Sequence, residues 1–295
     1  MYKRQTVDTV YLGNCANGRP VWFDRAAYEA DLIVPINRVK LHTDFVGPIQ
    51  SGLCKMLVIG LGNHKGCSAV HEEAPEVFAG AIEETARLIL QKAPVGFGIA
   101  ILENAYDKTY AVEAVPAEHL VEREKELVQI AKGNMPYIML DEADVIVCGA
   151  IGKDISGAGF DPNILGRSSV LKQFVLHIPR YQRLVLCDVT PASHGNGIGV
   201  GLFDVITKKV AEQLDLESMY ANAIACNCLG DASVPCTVDD EETAIRVALK
   251  CCRNIDRDHP RIIRIQNTLH LGEIEVSEAL LDAVRADSRM SLIEN

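Results

Sequence analysis

Two short apolar runs constrain this chain more than anything else in it. Residues 145–151 (VIVCGAI) lead straight into GKDISGAGFDPNILGR, and residues 183–189 (RLVLCDV) into TPASHGNGIGVG. Along the rest of the chain, apolar strand-like runs alternate with amphipathic helical stretches. That alternation is the pattern of a mostly parallel α/β sheet. In such sheets ligands bind beyond the carboxyl ends of the strands. The loop 152–167, with four glycines and Lys153, is therefore a binding-loop candidate, although Asp161-Pro162-Asn163 would suit a purely structural loop equally well. It is not a P-loop, since the spacing from glycine to Gly-Lys-Ser/Thr is wrong. The second loop carries His194 and alternating glycines, and a G-x-G-x-x-G fingerprint is absent.

The expected architecture is two α/β domains with mostly parallel sheets and a cleft between them. With 295 residues, two domains are the natural division. The boundary falls at Asn134-Met135-Pro136, which separates residues 1–134 from 135–295. In the first part, 31–38 (DLIVPINR) reads as a buried strand after a helical turn at 25–30. Residues 72–92 read as a helix opened by Glu72, Glu73 and Glu76, and 95–102 as a strand. Residues 117–132 read as a second helix, closed by Gly133-Asn134. In the second part, 207–214 and 239–252 read as helices, 261–265 as a strand and 276–286 as a last helix. The opening pentapeptide MYKRQ is the translation of a string resembling the end of a transposon adaptor used in sequencing libraries. Residues 1–5 are thus expected to be non-native, with an N-terminal part of a longer protein missing.

Charge and cysteine content remove several classes of function. The net charge is −11, and no block of five or more Lys/Arg occurs, which argues against nucleic acid as the main partner. No apolar run approaches the roughly 20 residues needed to span a bilayer, and no signal peptide is apparent, so a cytoplasmic protein away from membranes is expected. The ten cysteines include no C-x-x-C pair, the usual zinc pattern. Cys226, Cys228 and Cys236 could bind a metal, but C-x-C alone is a weak signal.

The residues richest in chemistry lie between His42 and His71, in HTDFVGPIQSGLCKMLVIGLGNHKGCSAVH. The apolar middle, 56–61, reads as a buried strand or the start of a buried helix, flanked on both sides by polar groups. A buried element is a common way to hold reactive groups rigidly. Lys55 follows a Ser51-Gly52 turn, where glycine lets the backbone pass close to a ligand. His42 lies thirteen residues before it and His71 sixteen after. Each histidine alone would be an ordinary polar residue at an element end; together with Lys55 they point to a site.

This stretch resembles the core of the nickel-pincer lactate racemase family. In that family a histidine precedes Gly-x-Ser-Gly-Gly-x-Lys, the lysine tethers a pyridinium thioamide nucleotide, and a later histidine ligates its nickel. Here Phe45-x-Gly47 and Ser51-Gly52-x-x-Lys55 echo the motif, and His71 falls at the family's lysine-to-histidine spacing. VCGAIGKD resembles the family's Gly-Gly-x-Pro-Lys-Asp stretch, whose lysine contacts substrate. The departures are a His42 three residues further from Lys55, Gly152 in place of proline, and no counterpart to the segment bearing the other catalytic histidine and the substrate arginine. The loop DISGAGFDPN looks like the mark of a separate branch.

The resemblance implies a racemase or epimerase of a small 2-hydroxy acid, working by reversible hydride transfer, with cofactor-synthesis enzymes as partners. The implied cofactor is pyridinium-3-thioamide-5-thiocarboxylate mononucleotide nickel. Lys55 would tether it, with Ser51 and Gly52 beside it; His71 would bind nickel, His42 would be the base and Lys153 would grip substrate. His64 and His194 are reserve bases. Inverting a carbon next to a carboxylate by proton removal is hard, and a hydride acceptor avoids the carbanion. Histidine titrates near neutral pH and can take the hydroxyl proton, lysine can hold a carboxylate, and nickel suits an imidazole beside soft donors. The competing readings are a metal- or nucleotide-binding protein with the fold but without the pincer, and a zinc or iron–sulfur protein using Cys226, Cys228 and Cys236.

Overall fold

The structure is a computed structural model that describes residues 6–74 and 76–293; the pentapeptide 1–5 lies outside the described residues. The chain forms two compact units, residues 1–135 and 136–295. Among the described residues no helix is long and apolar enough to cross a membrane.

The second unit is built on a six-stranded sheet. Its strands are β6 (Val145–Cys148), β7 (Arg183–Leu186), β8 (Val205–Thr207), β9 (Cys236–Val238), β10 (Ile262–Ile265) and β11 (Ile274–Val276). They lie in the order β11-β10-β6-β7-β8-β9, all pairings parallel except that of β11 with β10. This is the mostly parallel sheet that the alternation of apolar strands and helices demands. Val145, Val147, Val185 and Val205 pack against Ala244 and Ala248 of a helix and Cys252 just beyond it, forming a buried apolar core. That helix, Glu241–Lys250, starts where Asp240 accepts a hydrogen bond from the Thr243 amide, with Glu241 and Glu242 in the first turn.

Several elements of this unit differ from the sequence expectation. The stretch 276–286 is not one helix: it opens as β11 and becomes helical only at Leu281–Ala286 after a 3-10 turn. The three-residue strands β8 and β9 and the helix Leu216–Ala225 carry too few periodic positions to be legible.

The first unit holds two small sheets. β1 (Thr9–Asn14) and β2 (Pro20–Asp24) form an antiparallel hairpin. β3 (Ile36–Arg38), β4 (Phe97–Glu103) and β5 (Thr109–Pro116) form a mixed sheet, parallel between β3 and β4 and antiparallel between β4 and β5. The expected strand 31–38 shrinks to three residues because Pro35 has no amide proton for the ladder; only an isolated bridge joins Ile33 to Val95. Ile36 is half exposed, so this strand is not buried.

Two helices, Phe78–Lys92 and Leu120–Asn134, pack beside the segment 53–60. The first begins at Phe78, so Glu72, Glu73 and Glu76 precede it instead of filling its first turn. Glu73 is instead engaged by buried Arg19, which also pairs with Glu84. The second runs through Gly133 to Asn134 and leaves the helix in an extended Met135, without a left-handed glycine cap.

Candidate functional site

The stretch from His42 to His71 folds into an extended loop, two helical segments and a sharp break. Ser51 exchanges backbone hydrogen bonds with Lys40, and the Gly52 carbonyl accepts from Asn37 Nδ2 at 2.9 Å. Leu53–Lys55 then starts a helix that continues as a π-helix over Met56–Gly60. The apolar middle is thus helical, buried through Leu57 and Val58. A π-helix is a rare element that is frequently found at functional sites. The chain breaks at Leu61-Gly62, Asn63 adopts a left-handed φ of 49°, and a new helix runs from Asn63 to His71. Gly62 is required there, because a Cβ would lie 2.2 Å from the Val58 carbonyl oxygen.

This path brings His42 against Lys55: the ring nitrogen Nε2 and the amine Nζ are in direct contact. His42 Nδ1 accepts a hydrogen bond from the Asp44 amide at 3.0 Å, and the His42 amide donates to Gln50 Oε1 at 2.7 Å. A neutral imidazole that accepts at Nδ1 carries its proton on Nε2. The Nε2 edge then faces the Lys55 amine.

The electrostatics agree with that geometry. Burial lowers the pKa of Lys55, and nearby Lys40 acts in the same direction against Asp44 and Cys67. His42 falls to about 3, first through burial and then through Lys55, Lys40 and His71. Taking either group's charge out of water disfavours the protonated form, and the Lys55 charge further disfavours a proton on His42. At neutral pH His42 is an uncharged ring, with Lys55 beside it biased toward its nucleophilic form.

His71 ends its helix and is exposed. Its Nδ1 donates to the Cys67 carbonyl at 2.8 Å, with the Cys67 thiol 3.4 Å away. This fixes the Nδ1–H tautomer and leaves Nε2 with a lone pair, the arrangement typical of a metal-ligating histidine.

A continuous row of rings connects the two histidines. His42 stacks on Phe45 with centroids 4.3 Å apart, Phe45 meets Phe78 at 4.9 Å, and Phe78 meets His71 at 4.9 Å. Lys55 Nζ stands 5.9 Å from the Phe45 centroid. Sequence reasoning missed this wall. Phe45 entered only as part of a motif and Phe78 only as a helical apolar position, and nothing in their spacing says that they meet.

The remaining candidates lie elsewhere. His64 is exposed on the first turn of the Asn63–His71 helix. Lys153 is in the second unit, in the loop after β6, where its amine donates to the Gly157 carbonyl at 2.5 Å and to Asn222 Oδ1 at 2.8 Å. His194 is exposed in the same unit, with a left-handed φ of 47°. The proposed cysteine site does not assemble: Cys226 and Cys236 are exposed and Cys228 is buried. Among the described residues no group of three or more His, Cys, Asp or Glu is placed to hold a metal ion.

No protein-family model matches the chain, and no curated protein does. Among solved structures it is similar to the lactate racemase apoprotein from Thermoanaerobacterium thermosaccharolyticum. The identity is 14% over 90% of this chain and 68% of that one, with a TM-score of 0.47. A structural-genomics protein from Thermotoga maritima is similar at 13% identity over 61% of this chain and 47% of that one, with a TM-score of 0.39.

Proposed function

We propose that Lys55 carries a nickel-pincer nucleotide and that the protein is a racemase or epimerase of a small 2-hydroxy acid. The observation that carries this reading is the buried Lys55 amine held against an uncharged His42, with His71 presenting a free Nε2 on the same aromatic wall. The donor set fits the group. One amine is poised to form a covalent bond, and one imidazole is oriented as a ligand. A lone imidazole suits a metal that arrives already held by an organic ligand better than a bare ion. When bound, the nucleotide supplies the hydride acceptor that spares the protein from forming a carbanion next to a carboxylate.

The chain's own residues do the rest. Lys55 anchors the group, with the Ser51-Gly52 backbone beside it. His42 would serve as the base for the substrate hydroxyl. Phe45 and Phe78 keep water from one side of the site.

The test is co-expression with cofactor-synthesis enzymes, followed by intact mass and metal analysis. The chain should gain the nucleotide mass and nickel. Lys55→Ala should lose the adduct, Lys65→Ala should keep it, and His71→Ala should keep the adduct but lose much of the nickel. An adduct that survives in Lys55→Ala refutes the assignment.

A further inference from the structure

The first unit buries a carboxyl, Glu124, that the proposed reaction does not use. Glu124 sits in the middle of the Leu120–Asn134 helix and is fully buried. Its Oε2 accepts the Cys54 amide at 2.9 Å, while Oε1 has no hydrogen-bond partner. The carboxyl fills the space above Gly52, where a Cβ would lie 2.6 Å from its carbon and from Oε1.

The helix that begins at Leu53 has no cap of its own, because Gly52 has no side chain to receive its first amides. Glu124 therefore does from a neighbouring helix what an N-cap side chain does locally. Its negative charge also suits the positive end of the helix. The next residue after the capped Cys54 is Lys55. Burying a carboxyl with one oxygen unpaired is costly, and a core this apolar would pack as well around leucine. The position of the carboxyl, aimed at the turn that carries the reactive amine, is what its cost sustains.

We propose that Glu124 is the positioning residue of Lys55: it clamps the first helical turn and so holds the buried amine against His42. The proposal rests on the reading of Lys55 as the reactive amine, but not on the identity of what that amine carries. Burial raises Glu124 to about 7, so the clamp itself changes state near neutrality. Its titratable surroundings are few. Cys54 faces it, pushed well upward by burial and by Glu124, and Glu83 and Arg87 of the Phe78–Lys92 helix act on Cys54. On its own helix Arg123 turns to Glu113 and Glu126, and Lys125 to Glu83 and Glu122.

The experiment measures acetylation of Lys55 by acetic anhydride, followed by peptide mass spectrometry over pH 5.5–8.5, with Lys65 as the internal reference. It needs no cofactor, so a failure of nucleotide attachment leaves it intact. In the native chain the Lys55 rate should rise less than tenfold per pH unit through pH 7, because the fold disfavours Glu124 ionisation, which loosens the clamp while the amine deprotonates. Glu124→Gln keeps an acceptor for Cys54 but cannot ionise, and its profile should regain the full tenfold slope. Glu124→Ala should acetylate Lys55 about tenfold more slowly at pH 7.5, as each unit by which the amine's pKa returns toward its ordinary value cuts the uncharged fraction tenfold. Lys65 should be unchanged. If Glu124→Ala does not fold, Glu124→Gln decides. Lys55 profiles indistinguishable from the native one in the folded variants overturn the proposal.

Discussion

Replacing His42 by asparagine should change how the first unit responds to acid. Asn can still receive the Asp44 amide that His42 Nδ1 accepts at 3.0 Å, but it cannot take up a proton. The ring's pKa drops from 6.5 to about 3 on folding, through burial first and then the Lys55 charge. Below pH 6.5 the unfolded chain binds a proton that the folded ring refuses. Stability is therefore lost as pH falls from 6.5 to about 3, at about 1.4 kcal/mol per pH unit. By pH 4 that amounts to about 3 kcal/mol, a large fraction of an ordinary domain's stability. The His42 side chain is only 14% exposed, so solvent screening takes little from the figure. The chain's single tryptophan, Trp22, lies in β2 of the first unit, and its fluorescence in urea reports that unit alone. The free energy of unfolding of His42→Asn minus that of the native chain should move in the variant's favour by about 3 kcal/mol between pH 7 and pH 4. Parallel curves over that range would show that His42 protonates in place and that the uncharged ring beside Lys55 is wrong.

Glu124 works with the opposite sign. Its carboxyl is raised from 4.5 to about 7, so the folded state keeps a proton that the unfolded chain releases, and stability is lost as pH rises from 4.5 through 7. Glu124→Gln should therefore gain about 3 kcal/mol over the native chain between pH 5 and pH 8 in the same assay; no gain would place the folded carboxyl at an ordinary pKa. Gly52→Ala drives a methyl into that carboxyl at 2.6 Å and should cost about 1–3 kcal/mol at pH 7. Restoring stability by combining it with Glu124→Ala would confirm the contact, and failure to do so would place the strain elsewhere. Phe78→Ala removes the ring between Phe45 and His71 and should cost about 3–5 kcal/mol. A loss under 1 kcal/mol would mean that the wall is loosely packed.

The amino-acid sequence alone determined the class of the fold and singled out the stretch that carries the candidate site. Runs such as Val145–Cys148 are apolar at every position because both faces of a parallel sheet are covered, and that pattern is local enough to read directly. The chemistry-rich stretch was legible for the same reason: His42, Lys55 and His71 lie within thirty residues, so composition alone gathers them. Whether residues 56–60 form strand or helix was not legible, since a five-residue apolar run fits either period, and packing against the neighbouring helices decided it. Tertiary structure also chose His42 as the partner of Lys55 over His64, which is nearer in sequence but turned to solvent. It closed the ring from Phe45 to Phe78 and laid Glu124, seventy residues away, on the Cys54 amide. These contacts carry no periodic signal. They depend on where two helices meet a loop, and the energy that sets each pKa is the burial created by that meeting.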